Sequence, residues 1–331
     1  MQEIGHAMER KATKLVTVFG GSGFVGRYLV RALAKSGWRV RVAVRRPDLV
    51  GHLQPMGGVG QIKPVFANVR HVDSVRAAVA HADVVVNLVG ILAEGGKQSF
   101  EGVQAEGARN IADAAAASGA TRLIQMSALG ADAESESVYA RTKAAGERSA
   151  HEAMAGQAIT IRPSILFGPE DQFFNRFAGM AKRMPFVPVI SPDTRFQPVY
   201  VGDVAAFTAA AVEGRIPAGT TYELGGPEIR TFRELMEQML EVTRQKRRVV
   251  AMPEGIARLQ AKALSILPNP PITEDQITML GHDNVVSDAA ISEGRTFKAA
   301  DMEPRALASI LPSYLWVFRR HGQFAEPGSA A

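Results

Sequence analysis

The chain has no cysteine among its 331 residues, which removes disulfides, thiolate metal sites and thiol nucleophiles together. An intracellular, cytoplasmic protein is the simple reading of that absence. No apolar run is long enough to cross a bilayer. The first thirteen residues (MQEIGHAMERKAT) lack a long apolar core, so they read as an N-terminal extension and as neither signal peptide nor anchor. Seven histidines, at 6, 52, 71, 81, 151, 282 and 321, show no metal-ligand spacing, and no metal is expected. A large excess of either charge is missing too. The 38 basic and 33 acidic residues leave +5, which is too diffuse for a nucleic-acid partner and suits an anionic cofactor or a lipid surface.

What is present is ample core material, 46% hydrophobic, arranged as strand-like runs alternating with helical ones. Residues 14–19, 39–44, 62–66, 83–88, 122–126 and 159–162 read as strands, and the alanine-rich stretches 75–80 and 110–117 as crossover helices. Such alternation implies an α/β fold, a doubly wound parallel sheet with helices on both faces. Pro64 inside the third run places that strand at an edge, as the order 3-2-1-4-5-6 would have it. Prolines break 163–198 into loops and short elements; 201–212 returns as a helix, 221–224 as a strand extending the sheet. A helix over 231–243 opens with Thr231 and Glu234 at capping-box spacing. The expected division is a nucleotide-binding domain from 14–166 plus 197–226, and a smaller C-terminal lobe from 167–196 plus 227–331 for substrate or partner.

Between the first strand and the first helix lies Gly20, Gly21, Ser22, Gly23, Phe24, Val25, Gly26. Glycine there permits positive φ, close approach to a pyrophosphate and tight helix packing, while the amides at the helix start face the phosphates. The second strand ends at Arg45 and Arg46, where a carboxylate would otherwise hold a ribose 2′-hydroxyl. Two guanidinium groups attract a 2′-phosphate instead, which favours NADP (NADPH) over NAD. Ser127 closes the fifth strand, and Tyr139 and Lys143 stand four residues apart on one helix face. A phenol of pKa about 10 needs help near neutrality. A lysine one turn away stabilises its phenolate and reaches the cofactor ribose; Ser127 would hydrogen-bond the same substrate oxygen. The plainer alternatives are a surface helix pair and an ion pair between Lys143 and Glu147.

The turn GGSGFVG, Ser127 in QMSALGA and YARTK from Tyr139 to Lys143 resemble the extended and atypical short-chain dehydrogenase/reductase superfamily, whose members share this three-and-three glycine spacing. More narrowly, YARTKAAGE, RPSILFGPEDQFFNRF and FQPVYVGDV resemble the nucleotide-binding accessory subunit of respiratory complex I and its bacterial relatives. The resemblance implies a Rossmann fold, and a cofactor cleft that also takes in Asn68, Val69, Leu88, Val89, Gly90, Pro163 and Ser164. It further implies NADPH as ligand, respiratory complex I subunits as partners, and peripheral contact at the cytoplasmic face of the inner membrane. Three positions depart from the family pattern: Phe19 replaces threonine, Asn68 replaces an adenine-binding aspartate, and Gln104 replaces the asparagine of the proton relay. Three functions follow: an accessory or assembly subunit; an active NADP-dependent dehydrogenase, reductase or epimerase on a hydroxyl or keto group of a small or lipid-like substrate; or a redox sensor. An amphipathic stretch from Ile256 to Leu267 faces its own core, a partner or a membrane.

Overall fold

The computed structural model describes residues 14–264, 272–320 and 322, so the N-terminal extension and Ser265, Ile266 and Leu267 lie outside the described residues. In chain order the main elements are β1 (Leu15–Phe19), α1 (Phe24–Lys35), β2 (Arg39–Val44), β3 (Ile62–Phe66), α2 (Val72–Val79), β4 (Val84–Asn87), α3 (Glu106–Ala117), β5 (Arg122–Met126) and α4 (Val138–Ala153). They continue as β6 (Ala158–Pro163), α5 (Phe174–Arg183), α6 (Val201–Glu213), β7 (Thr221–Leu224), α7 (Phe232–Thr243), α8 (Glu254–Leu264) and α9 (Glu274–Leu280). Seven strands form one sheet in the order β3-β2-β1-β4-β5-β6-β7, every neighbouring pair parallel. Pro64 pairs with Val42 in the edge strand β3, where its missing N–H leaves no ladder partner wanting.

A parallel sheet is covered on both faces, which is why its central strands are continuous apolar runs. On one side α1 and α6 pack Leu29, Leu33, Val204 and Phe207 against Val18, Ile124 and Tyr222. On the other, Val75, Ile111, Ala112 and Ala150 from α2, α3 and α4 meet Val85 and Leu123. The strand order reverses between β1 and β4, so a crevice opens beyond their carboxyl ends, the usual ligand position in such sheets.

A second core lies past that edge. It joins α5, α7, the helix Leu307–Leu315 and a parallel pair, Phe186–Ile190 with Arg248–Met252. Phe173 stacks on Phe232 at 5.6 Å, and Phe177 meets the same ring edge-on at 5.5 Å. The capping box at Thr231 and Glu234 forms as its spacing predicts. On α8, Ala257 and Ala261 face inward while Ile256 and Leu259 remain exposed, so this helix is divided between core and surface. No helix among the described residues is long and apolar enough to cross a membrane.

Candidate functional site

The glycine turn is built tightly. Gly20 sits at φ +74°, a conformation L side chains rarely adopt, and it lies against the Leu88–Val89 backbone. A Cβ on Gly26 would fall 2.4 Å from the Gly20 carbonyl oxygen, so α1 starts in direct contact with the turn. Gly23 caps α1 with extended backbone and no side-chain acceptor, which leaves the first-turn amides to meet an anion. Beside them, the Leu88 N–H donates to the Phe19 carbonyl (3.0 Å) and the Val89 N–H to Asn87 Oδ1 (3.0 Å). Asn87 in turn donates from Nδ2 to Gln125 Oε1 at 2.9 Å, fixing the strip after β4. This cradle fits a dinucleotide diphosphate.

Ser127 leaves the end of β5 with its N–H bound to the Ile161 carbonyl (2.7 Å). The residue is 4% exposed, and among the described residues its Oγ has no hydrogen-bond partner. A buried hydroxyl without a partner is costly, so this oxygen is set to meet a ligand. Ser137 caps α4 by accepting from the Ala140 N–H at 3.2 Å, which puts Tyr139 in the first turn and Lys143 one turn on. Tyr139 packs edge-on to Phe100 at 5.8 Å, and among the described residues no group hydrogen-bonds its hydroxyl. Burial pushes the phenol up to about 12, and the carboxylate of Asp275 adds to the rise.

Lys143 is buried, with Nζ donating to the Met126 carbonyl at 3.3 Å and lying 5.8 Å from the Tyr139 ring centroid. Burial lowers its ammonium to about 8, partly opposed by Glu147. Glu147 itself is taken by Arg162 in a two-pronged ion pair at 2.6 and 2.8 Å, so Lys143 makes no bridge to it. The folded pKa lies below the unfolded value of 10.5, so below pH 8 the buried ammonium costs about 3 kcal/mol, and the cost vanishes as pH rises toward 10.5. Lys143→Met is therefore expected to stabilise the cofactor-free chain at pH 7 by about that amount. The advantage should fade between pH 8 and 10.5 in urea titrations; a pH-independent difference would contradict it.

Gln104, in a π-helical turn ahead of α3, donates from Nε2 to Thr142 Oγ1 at 3.2 Å and leaves Oε1 buried without a partner among the described residues. A Cβ on Gly90 would lie 3.1 Å from Lys143 Nζ and 3.3 Å from Gln104 Oε1, so a side chain there would crowd both groups.

Phe24, Val25, Gly90, Ser127, Tyr139, Lys143, Pro163 and Ser164 line one cavity of roughly 680 Å³. Gly20, Gly21, Ser22, Gly23, Gly26, Leu88 and Val89 lie outside that lining, in the turn at the start of α1 and the strip after β4. Arg45, Arg46, Asn68 and Val69 are also apart from the cavity, past the ends of β2 and β3. Arg45 donates to Gln98 Oε1 (2.9 Å), and Arg46 pairs with Asp48 at 2.7 Å. Asn68 accepts the Arg70 N–H at 3.2 Å.

Several lining or bracing residues gave no signal in the sequence. Asp275 in α9 accepts from Ser137 Oγ (2.8 Å) and the Val138 N–H (2.7 Å), placing a carboxylate at the positive end of α4. Gln276 donates to the Leu92 carbonyl at 3.0 Å. Asn284 takes a 2.7 Å bond from Ser164 Oγ and gives one to the Leu129 carbonyl at 3.3 Å. Acid, amide and serine in such places read as ordinary turn and cap chemistry until the fold brings them together.

The model of the NAD dependent epimerase/dehydratase family matches residues 16–225. The chain belongs to that family. Its members give the cradle its ligand class, a nucleotide cofactor, and the residues described above fit one. Among relatives, NADH dehydrogenase [ubiquinone] 1 alpha subcomplex subunit 9, mitochondrial, of Arabidopsis thaliana is 39% identical over 93% of this chain and 79% of its own length. The ceramide reductase of Caulobacter vibrioides is 34% identical over 80% of this chain and 82% of its own. The Bordetella bronchiseptica enzyme WbmH, solved with NAD+, shares the fold at TM-score 0.68, with 15% identity over 94% of this chain and all of its own.

Proposed function

We propose that the chain is an NADPH-binding accessory or assembly subunit of NADH:ubiquinone oxidoreductase, peripheral at the cytoplasmic face of the inner membrane. The observation that carries this is the 39% identity to the Arabidopsis alpha subcomplex subunit over 93% of the chain. Affinity purification of the full chain from membranes is expected to recover respiratory subunits. A wholly soluble protein without them would end the reading. Within it, residues 14–166 and 197–226 hold the nucleotide, and 167–196 with 227–331 serve the ligand or partner.

The NADPH preference rests on the end of β2. Arg46 is engaged by Asp48, whereas Arg45 is held by the neutral amide of Gln98 and is readily released to a 2′-phosphate. Arg45→Ala should weaken NADPH about tenfold and NADH hardly at all in calorimetric titrations. Equal losses for both would contradict the preference.

A second reading, a working reductase, is favoured by the unpartnered Ser127 Oγ in the cavity shared with Tyr139 and Lys143, and by the relation to the Caulobacter reductase. When bound, the dihydronicotinamide would supply the hydride. The chain's own work is then proton handling. Ser127 hydrogen-bonds the ketone oxygen, Tyr139 gives it the phenolic proton, and the Lys143 ammonium steadies the phenolate left behind and binds the ribose.

A further inference from the structure

The cavity continues well beyond the reactive groups. From Ser127 and Tyr139 it runs between α5, α7, α8 and α9, walled by Phe173, Phe177, Met180, Phe232, Met279 and Leu280. Such a wall favours an apolar ligand, with Gln172, Gln260, Gln276 and Asn284 among the polar groups that also line the cavity. Four charged side chains border it: Lys143, Glu170, Arg176 and Asp275. Three are committed. Lys143 is bound to the Met126 carbonyl, Glu170 accepts from Tyr28 (2.9 Å) and Arg27 (3.3 Å), and Asp275 holds the start of α4. Arg176 has no hydrogen bond or ion pair among the described residues. It shares a face of α5 with Phe173, Phe177 and Met180, lines the same cavity, and is exposed to solvent at its mouth. Packing beside the aromatic wall lowers its pKa through partial desolvation, although the residue as a whole is exposed.

An unpaired guanidinium at the rim of an apolar cavity wants an anion, and the wall behind it wants a chain of methylenes. We propose that this cavity binds a single-chain anionic amphiphile, its acidic head on Arg176 and its aliphatic tail directed along the aromatic and methionine wall toward Ser127. The proposal deepens the functional reading above, because it takes this cavity as the ligand side of the nucleotide cleft. It holds whether or not the ligand is reduced there.

The test uses the full chain with NADPH present and three probes below their aggregation limits: hexadecanoate, hexadecanol and acetate. Hexadecanoate is expected to bind at least about tenfold more tightly than hexadecanol, and acetate not at all. Arg176→Leu should bring hexadecanoate down to the level of hexadecanol, and Arg176→Lys should recover part of the loss. Neither variant should alter NADPH affinity. Equal binding of acid and alcohol, no effect of Arg176→Leu, or no binding of hexadecanoate would each overturn the proposal. NADPH is titrated separately, so a chain that takes hexadecanoate but no NADPH would fault the nucleotide reading alone.

Discussion

Tyr139→Phe is expected to cut ketone-dependent oxidation of NADPH by about a hundred- to ten-thousandfold, the usual contribution of a positioned acid. Cofactor affinity should change by less than about threefold, because the hydroxyl has no partner among the described residues and the ring is held by Phe100, 5.8 Å away, whether or not it carries oxygen. The phenol is held protonated by burial and by Asp275, which suits a group that must donate rather than accept at the start of a reduction. Stopped-flow oxidation of NADPH with a panel of long-chain ketones, beside equilibrium titration of NADPH, separates the two quantities. Loss of neither would remove Tyr139 from the reactive group; loss of both together would make it a binding residue.

Gly26→Ala is expected to weaken NADPH at least about a hundredfold and to lower stability by about 1–3 kcal/mol. The added carbon would lie 2.4 Å from the Gly20 carbonyl oxygen and 2.5 Å from the Gly21 carbonyl carbon. Both obstacles are backbone, so the first turn of α1 must back away from the cradle, and its amides leave the phosphates. Gly255→Ala is the control: it lies in α8 with nothing among the described residues within 4 Å of the new carbon, and it should leave NADPH affinity untouched. A Gly26→Ala chain with full affinity would mean the diphosphate sits elsewhere.

Much of the sheet was readable beforehand because burial on both faces demands long β-branched runs, and those are local. Arg39–Val44, Ile62–Phe66, Arg122–Met126 and Thr221–Leu224 have the limits expected, and even the proline of β3 pointed to its edge position. The nucleotide turn was legible for the same reason, since backbone conformation is written in adjacent glycines. The cavity beyond it was not. Phe186–Ile190 and Arg248–Met252 pair across a long separation, and Pro188 made the first look like loop. Nothing in the sequence singles out Asp275, whose oxygens serve residues 137 and 138. Arg176 is equally unmarked in the sequence, and only packing shows that phenylalanines and methionines line the cavity it borders.

That reach of Asp275 has a mechanical meaning. The helix bearing the phenol is anchored not by the sheet alone but by a segment more than a hundred residues downstream, which also walls the cavity. Seating a ligand against that wall and aiming the phenol thus depend on the same segment. A docked protein that pulled on the C-terminal segment would loosen both at once.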